Sequence, residues 1–462
     1  MDEFNYFLPW TPTRLSRIDS AQLQTLVSPS QSIHQDLSEP ITNLAVFLSA
    51  KQRKHFAVST YSGRAALLHW YKTQAFSIYN LDSFFSCLNG DYRMADNVPE
   101  DQGFNLIGYG RGRLGLGEDL RAVATYLRTH GIPFSIFTIG HPSNAVDEYK
   151  CIEESNELKF NTSLFFLNAM EAERFINIFN QDLSLFGYKI ICPPWELSKA
   201  PAQWQSTFAH FHEVWCMSRF VLEAYQSLHP KLVAFSPVIP APADATDKVP
   251  RQERAFTYLY IFDAGSYLTR KNPEAVVLSF LQAFGQTKEP VRLILKVSNW
   301  MVSDATNYLA ELVKKDSRIT LVTTNYSQQQ MERLWQTCSC YVSLHRSEGF
   351  GRTMAEAAAR NIPVVCTGWS GNVDITGMDY PLLVDYELIA VKDNEYPFAN
   401  EQQWAGVDID DAAKKLFWVY KNAEKRQLKA IVTELTERFH SCFSVQTRRP
   451  EIEELYCTGK TK

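Results

Sequence analysis

The chain has 462 residues, which is too long for a single hydrophobic core and predicts two or three domains. Apolar residues make up 45%, as in ordinary folded proteins, and the formal net charge of −5 argues against nucleic-acid binding, which rewards a basic surplus. Nine cysteines without the paired spacing of a zinc site favour a reducing compartment. No uncharged apolar run reaches membrane-spanning length and the acidic start lacks a signal-peptide pattern, so we expect a cytoplasmic protein.

Residues 1–100 predict a mostly helical extension, with helix-like stretches near 39–50, 62–75 and 80–88. No Asp or Glu occurs between Pro40 and Leu81, where basic residues alternate with aromatic ones. The cations of this window are Lys51, Arg53, Lys54, Arg64 and Lys72. Such a mixture suits peripheral contact with an anionic surface such as the inner membrane face. A solvated face over a small core is the alternative, and we favour it.

A strand predicted at 104–109 runs into the glycine-rich stretch GYGRGRLGLGEDLR, and a helix follows to about residue 130. The glycines let the chain pass close to another group, and Glu118 and Asp119 suit a helix N-terminus. As a dinucleotide fingerprint this motif is weak, because the glycine spacing is not the Rossmann one and no acidic residue clearly ends the next strand, at 133–138.

Strand-like runs at 163–167 and 188–192 continue an alternation of strands and helices. Polar residues follow both: Asn168 after the first, and Glu196 within CPPWELSKAPAQW after the second. Trp195 and Glu196 fit a helix start with a packed indole as well as they fit a functional pair. The Pro- and Ala-rich segment 240–253 is the best linker in the chain.

A second domain begins with a strand predicted at 256–262, followed by a polar loop and an amphipathic helix from about residue 272. Arg270 and Lys271 therefore stand just beyond the carboxyl end of a strand, where ligands bind in parallel sheets. Two cations there suit an anionic ligand. The alternative is a solvated pair of charges in a loop.

Residues 341–374 read YVSLHRSEGFGRTMAEAAARNIPVVCTGWSGNVD and predict a strand, a helix at 352–360 and a parallel second strand at 362–366. Gly349 and Gly351 separate the first strand from the helix, so backbone amides and the helix dipole form a phosphate seat. Glu348 and Glu356 are eight residues apart and suit the hydroxyls of a sugar.

Two further polar positions belong to this unit. His345 follows the strand directly and either contacts the ligand or is a hydrogen-bonded structural histidine. Gly368, Gly371 and Asn372 form a second polar loop at the end of the next strand.

The string SEGFG-x4-E, together with TGWSGN, resembles the Glu-x7-Glu motif of retaining GT-B glycosyltransferases of the group-1, or family-four, type. The run WEL followed by HEVWCMSRFVLEAY resembles a signature of bacterial polysaccharide-assembling members of that family. The resemblance covers about residues 104–440. It implies an α/β GT-B fold: two Rossmann-like domains that face a cleft, here preceded by the helical extension.

The resemblance also implies roles for individual residues. Glu348 is expected to contact the transferred sugar, and Lys271 and Arg270 to stabilise the leaving diphosphate. Lys271 matches the family's lysine, but Ser266 stands where the family has an arginine, and Arg270 is the candidate substitute. The remaining donor-binding candidates are Glu356, Gly349, Phe350, Gly351, Ser266 and Asn372. The candidates on the acceptor side are Gly115, Gly117, Glu196 and Asn168.

We expect an acceptor domain at 101–245, joined by a C-terminal helix at 443–462, and a donor domain at 254–442. The predicted reaction moves a hexose-type sugar from a nucleoside diphosphate to a saccharide or lipid-linked saccharide, with retention. Neither a metal nor another cofactor is expected, because the two cations and a helix N-terminus hold the diphosphate. The alternatives are a non-catalytic nucleotide-sugar-binding paralogue, which Ser266 favours, and an epimerase or phosphorylase of the same fold.

Overall fold

The computed structural model describes Trp10 and residues 15–79, 81–89, 102–139, 149, 151–155, 158–240 and 255–458. Apart from residue 240, the predicted linker at 240–253 lies outside these residues. The described chain divides into two compact units, Met1–Leu127 with Gly131–Ile191 and Leu455–Lys462, and Arg128–His130 with Cys192–Glu454.

The regular elements described before residue 90 are helical, as predicted. They are α1 (Ser20–Val27), α2 (Asn43–Lys51), α3 (Tyr61–Trp70), a π-helical turn (Tyr71–Ala75), α4 (Phe76–Tyr79) and α5 (Leu81–Leu88). Threonine side chains cap α2 and α3 at Thr42 and Thr60. Trp10, Leu44, Leu48 and other apolar residues of this region form a buried cluster of their own.

Two of the cations between Pro40 and Leu81 pair with carboxylates that lie outside this window. Arg64 is buried and pairs with Asp36, and Lys72 pairs with Glu39. Both carboxylates lie just outside the acid-free window, so two of its cations have acidic partners that the window alone does not reveal.

Six strands form the first sheet, and the pairings that have a defined register are parallel. They are β1 (Phe104–Gly108), β2 (Phe134–Thr138), β3 (Thr162–Phe166), β4 (Tyr188–Ile191), β5 (Glu213–Cys216) and β6 (Leu232–Ala234), in the order β2-β1-β3-β4-β5-β6. The helices between them are α6 (Gly115–Thr129), α7 (Ala169–Phe179), α8 (Trp204–Phe208) and α9 (Arg219–Tyr225). β1, β3 and β5 are buried throughout, as expected of strands that helices cover on both faces.

The second sheet also has six parallel strands. They are β7 (Phe256–Asp263), β8 (Val291–Ser298), β9 (Ile319–Val322), β10 (Cys340–Ser343), β11 (Val364–Thr367) and β12 (Leu383–Val384). The intervening helices are α10 (Leu268–Lys271), α11 (Pro273–Phe284), α12 (Asp304–Val313), α13 (Gln328–Thr337), α14 (Arg352–Ala358) and α15 (Val373–Thr376). The order β12-β11-β10-β7-β8-β9 is the Rossmann order: successive strands are added on one side of β7 up to β9, and from β10 onward on its other side.

An antiparallel hairpin and three helices follow. The hairpin consists of β13 (Tyr386–Ala390) and β14 (Gln403–Val407), and the helices are α16 (Ile409–Lys421), α17 (Arg426–Cys442) and α18 (Pro450–Thr458). The last helix starts at Pro450 and not near 443, because 443–449 runs alongside Ile239 and the Arg449 guanidinium binds backbone carbonyls, among them that of Ser236. No described helix has the length and apolar character needed to cross a membrane.

Candidate functional site

The candidate residues of the second sheet gather at its switch point, where β7 and β10 lie side by side. Arg270 and Lys271 form the end of α10, the short helix that follows β7. Glu348 belongs to the loop that follows β10. Two segments far apart in sequence therefore deliver cations and a carboxylate to one edge of the sheet, as the sequence predicted for ligand-binding loops.

These charged groups are in direct contact. The Lys271 Nζ donates to Oε1 of Glu348, and Arg270 Nη1 lies 3.3 Å from Oε2 of the same carboxylate. The other terminal nitrogen of Arg270 lies 3.8 Å from Oε1 of Glu196. The Arg270 side chain is only 3% exposed, so screening by water is weak and the pairing is strong.

Burial and charge act in opposite directions on this cluster. Burial raises the pKa of Glu348, but the charges of Lys271 and Arg270 outweigh it and lower that pKa to about 2. Burial disfavours the Arg270 cation, yet Glu348 and Glu196 raise the pKa of Arg270 above its usual range. Burial and the neighbouring Arg270 lower the pKa of Lys271, against the opposite effect of Glu348. Glu348 is therefore ionised at neutral pH.

Backbone carbonyls fix the orientation of Arg270. Its Nη1 donates to the carbonyl of Ser347 at 2.9 Å, and its Nη2 donates to the carbonyl of Ser266 at 3.2 Å. The Ser266 hydroxyl lies 3.4 Å from Asp263. Ser266 thus supports Arg270 through its main chain, while its side chain faces the end of β7.

Glycines allow two loops to pack closely. A Cβ atom on Gly371 would lie 2.0 Å from the carbonyl oxygen of Gly349, and one on Gly349 would lie 2.7 Å from the carbonyl oxygen of Trp195. Gly351 has φ +93° and precedes α14. The Ser370 hydroxyl accepts from the amide of Glu348 at 2.8 Å. The loop of the SEGFG motif therefore has its shape fixed by its neighbour.

Three backbone amides of this loop are available to donate hydrogen bonds to a ligand. Among the described residues, the backbone N–H groups of Gly349, Phe350 and Gly351 make no hydrogen bond. They precede the N-terminus of α14, where the helix dipole favours an anion. Glu356 is half-buried on α14, one turn from Thr353, whose hydroxyl accepts from the Tyr341 hydroxyl of β10.

His345 and Asn372 form a buried structural network. The Asn372 side chain donates to the carbonyl of Thr367 at 2.8 Å, so its oxygen, 2.9 Å from His345 Nε2, acts as an acceptor. The histidine therefore carries its proton on Nε2, and its Nδ1 accepts from the Ser343 hydroxyl. Burial lowers the pKa of His345, which is consistent with a neutral ring. Of the two interpretations of His345, the structure favours the structural one.

Of the three acceptor-side candidates in the first unit, Gly117 and Asn168 have local structural roles. Gly117 lies in α6 so close to the carbonyls of Gly112 and Tyr109 that a Cβ would clash at 2.4 and 2.7 Å, whereas a Cβ on Gly115 would meet nothing within 4 Å. Asn168 caps α7 by accepting from the amide of Glu171 at 2.9 Å, and Glu171 accepts from the amide of Asn168 in return.

Glu196 lies in the second unit, beside Arg270, and one residue of its surroundings was missed by the sequence analysis. Tyr396, in the loop that connects β13 and β14, donates its hydroxyl to Oε2 of Glu196. Its ring is 5.9 Å from the Arg270 guanidinium carbon. No short motif surrounds Tyr396, so its contact with Glu196 could be found only from the structure, in which the hairpin brings it to the site. In the part of the chain described, no three His, Cys, Asp or Glu side chains are grouped to hold a metal ion.

Comparison with known proteins gives one family match. Residues 218–444 match the profile of "Family 4 Glycosyltransferase in conflict systems". No curated protein matches the chain by sequence. The matched residues include α10, β10 and the SEGFG loop, that is, the charged groups at the switch point except Glu196.

Similar solved structures include HepE of Anabaena in complex with UDP and glucose, at a TM-score of 0.52 and 13% identity over 77% of this chain and 100% of that one. A glycosyltransferase of Rickettsia africae matches with a TM-score of 0.52 and 15% identity, over 78% of this chain and 100% of that one. Sucrose-phosphate synthase of Thermosynechococcus elongatus matches with a TM-score of 0.52 and 14% identity, over 77% of this chain and 97% of that one.

The chain spans about half of the length of another match, TarM, with 54% of that chain covered at a TM-score of 0.45. The three matches with a TM-score of 0.52 each cover at least 77% of this chain, including most of both parallel sheets described above, and at least 97% of the other chain. The chain thus has the GT-B fold, and Glu348, Arg270 and Lys271 lie in the segment that matches the family 4 glycosyltransferase profile.

Proposed function

We propose that the protein is a retaining glycosyltransferase that moves a hexose-type sugar from a nucleoside diphosphate to a saccharide or lipid-linked saccharide. One observation carries the proposal: Lys271, Arg270 and Glu348 meet at the switch point beside three amides that make no hydrogen bond with the described residues. The cations and the amides suit a diphosphate, and the carboxylate suits sugar hydroxyls. The three groups fit the two halves of a nucleotide-sugar donor.

The reaction needs charge stabilisation more than it needs a dedicated base. As the bond between the anomeric carbon and the phosphate oxygen breaks, negative charge grows on the diphosphate, and Lys271 and Arg270 stabilise it. The acceptor oxygen forms the new bond on the same face of the sugar, and its proton goes to the leaving phosphate. Glu348 orients the sugar. Because Lys271 pairs with Glu348 in the structure, donor binding requires the lysine to turn partly toward the phosphate.

Two exposed aromatic rings near the site support a saccharide acceptor. Tyr267 is 41% exposed and Phe398 is 38% exposed. The Tyr267 ring lies 4.7 Å from that of Tyr396, and the Phe398 ring lies 5.4 Å from that of Trp204. Both residues have positive φ angles, an uncommon conformation for aromatic residues that is found at binding sites. Exposed rings of this kind offer flat apolar surfaces to the faces of sugar rings.

The test is release of free nucleotide from a panel of UDP-, GDP-, ADP- and dTDP-sugars. We expect slow hydrolysis of one donor, faster turnover when a saccharide acceptor is added, and retained anomeric configuration in the product by NMR. Glu348→Ala should remove turnover while Glu311→Ala, an exposed glutamate on α12, should not change it.

Other outcomes of that experiment would contradict the proposal. Nucleotide-sugar binding without turnover would indicate a non-catalytic paralogue. An epimerised donor, or a sugar phosphate formed when inorganic phosphate is added, would indicate the epimerase or phosphorylase alternative. An inverted product would contradict retention alone and leave the transfer reaction in place.

Peripheral membrane contact through residues 40–81 is a separate proposal. Lys51, Arg53 and Lys54 lie close together at the end of α2, where they add to one another's field. Sedimentation with acidic vesicles at low salt, weakened as salt rises, would support the contact. Equal sedimentation with acidic and neutral vesicles would leave the solvated face as the better interpretation.

A further inference from the structure

The carboxylate of Glu196 competes for Arg270, the cation that we assign to the donor diphosphate. Glu196 Oε1 lies 3.8 Å from Arg270 Nη2, beyond hydrogen-bonding distance, while the two terminal nitrogens of Arg270 donate to backbone carbonyls. A carboxylate free to rotate beside an arginine normally forms two parallel hydrogen bonds with it. Something therefore keeps Glu196 in a looser contact.

Tyr396 occupies the other oxygen of Glu196. Its hydroxyl donates to Oε2, and its side chain is 8% exposed. Burial and the nearby Glu196 raise the pKa of Tyr396 well above its ordinary value, so the hydroxyl stays a donor over the working range of pH. The tyrosine and the arginine thus hold opposite ends of one carboxylate.

The tyrosine is itself held in place by packing and by its loop. Its ring lies 5.7 Å from that of Trp195 and 4.7 Å from that of Tyr267. At the end of the same loop, the Gln402 side chain donates to the carbonyl of Lys199 at 2.6 Å and accepts from its amide at 3.3 Å. The hairpin loop is therefore fastened to the segment that carries Glu196.

We propose that Tyr396 is a positioning residue that restrains Glu196 and so keeps the Arg270 guanidinium available for the donor diphosphate. Without the hydroxyl, Oε2 of Glu196 loses its donor, and the nearest replacement is Arg270. A two-bonded Glu196–Arg270 pair would then have to be broken each time a donor binds. The inference rests on the proposed function, since it takes Arg270 as a ligand of the diphosphate.

The test is a double-mutant cycle of Tyr396→Phe and Glu196→Gln, with donor hydrolysis and binding of UDP, GDP, ADP and dTDP measured by calorimetry. Tyr396→Phe should raise the donor KM and the Kd of the preferred nucleoside diphosphate about tenfold, as expected for a lost hydrogen bond to a charged group. The change in kcat should be smaller. In the Glu196→Gln background the same change should have less than about a third of that effect, because the competing charge is gone.

Tyr258→Phe is the matched control. Tyr258 is a buried tyrosine near the amino end of β7, and its hydroxyl donates to the carbonyl of Leu416 on α16 at 2.7 Å. Its loss should lower the Tm without raising the donor KM. Equal effects of Tyr396→Phe and Tyr258→Phe on KM, or an undiminished effect in the Glu196→Gln background, would overturn the inference.

The same measurements separate this inference from the proposed function. If wild-type protein binds a nucleoside diphosphate but transfers no sugar, the proposed function fails and the Kd cycle still decides the role of Tyr396. If it binds none of the four, the proposed function fails and the cycle is measured with inorganic pyrophosphate. Tyr396→Phe should then bind pyrophosphate more weakly than wild-type protein, and Tyr258→Phe and the double mutant with Glu196→Gln should not. Unchanged pyrophosphate affinity would then overturn the inference as well.

Discussion

Arg270 contacts Ser266, the position at which the family resemblance predicts an arginine. The guanidinium of Arg270 reaches the carbonyl of Ser266, so the cation from one position ends beside the backbone of the other. Lys271 has no comparable substitute, because it alone donates to Glu348 Oε1 among the described contacts. We therefore expect that removing either cation lowers donor turnover more than removing the Ser266 side chain.

We expect Lys271→Ala to lower donor turnover by a factor of about a hundred or more, as for other groups that stabilise a developing anion. Ser266→Ala should change turnover much less, since its backbone carbonyl remains. Ser266→Arg introduced into Arg270→Ala should restore part of the lost activity. The activity of Lys271→Ala, Ser266→Ala, Arg270→Ala and the double variant is measured as nucleotide release from the preferred donor. If the double variant folds but regains no activity, Arg270 has not taken the place of the family's arginine.

The lowered pKa of Glu348 predicts a pH dependence of stability. Its folded pKa is about 2 against an ordinary value of 4.5, so its ionised form stabilises the fold above 4.5 and this contribution is lost as pH falls from there toward 2. The Tm of wild-type protein should exceed that of Glu348→Gln by a constant amount at neutral pH. The difference should shrink below about pH 4.5.

Glu311→Gln serves as the control for that measurement, because Glu311 is 68% exposed and forms a surface pair with Lys314 one turn away. Its Tm should follow that of wild-type protein throughout. A gap between wild-type and Glu348→Gln that stays constant down to the lowest pH at which both fold would contradict the assignment.

The charged contacts of Glu348 could be predicted from the sequence only in part. The motif and its position after a strand indicated Glu348, Arg270 and Lys271, because strand ends in a parallel sheet place their loops together. The pairing of Glu196 with Tyr396 could not be predicted, since it joins positions 200 residues apart and depends on how two loops pack. For the same reason, the sequence left the role of His345 open.

At the scale of elements, the loops that follow β10 and β11 act as one packed unit. Gly371→Ala should destabilise the protein by about 1–3 kcal/mol, because its Cβ would meet the Gly349 carbonyl at 2.0 Å in a loop with no room to relax. Nucleotide affinity should fall with it. Urea unfolding and calorimetry measure the two effects.

Gly115→Ala is the matched control for stability. It also adds a methyl group at a glycine, but its Cβ would meet nothing within 4 Å at the start of α6. The change should leave stability unchanged or raise it by up to about 1 kcal/mol. Equal destabilisation by the two substitutions would show that the contact with Gly349 is not the cause.

Elements with a strong pattern could be predicted from the sequence, and those that depend on remote partners could not. Strands of both parallel sheets, among them Phe104–Gly108, Thr162–Phe166, Phe256–Asp263 and Val364–Thr367, lie where apolar runs predicted them, whereas β5, β6 and β12 were not predicted. The hairpin of β13 and β14 was missed, because Tyr386–Ala390 is mostly exposed and lacks the alternation of a half-buried strand. The π-helical turn at Tyr71–Ala75 was also missed, since it continues the pattern of an α-helix.

At the scale of the whole molecule, we propose that protein side chains and amides supply the positive charge that a diphosphate requires. Activity should therefore survive a chelator. Nucleotide release before and after treatment with EDTA, with magnesium added back, measures the dependence. Complete loss on chelation that magnesium restores would refute the metal-independent mechanism, whereas unchanged rates would support Lys271 and Arg270 as the groups that neutralise the leaving diphosphate.

The pairing of two cations with two carboxylates at the switch point has a consequence for how fast a donor arrives. Glu196 and Glu348 offset Arg270 and Lys271, and the chain as a whole carries −5, so an anionic nucleotide sugar meets little attraction until it is within a few ångströms. Capture should be limited by diffusion and fit and not by long-range steering. In stopped-flow measurements, the association rate constant of the nucleotide should change less than about threefold between low salt and about 0.5 M salt. A steep fall with salt would show that the site presents an uncompensated positive field.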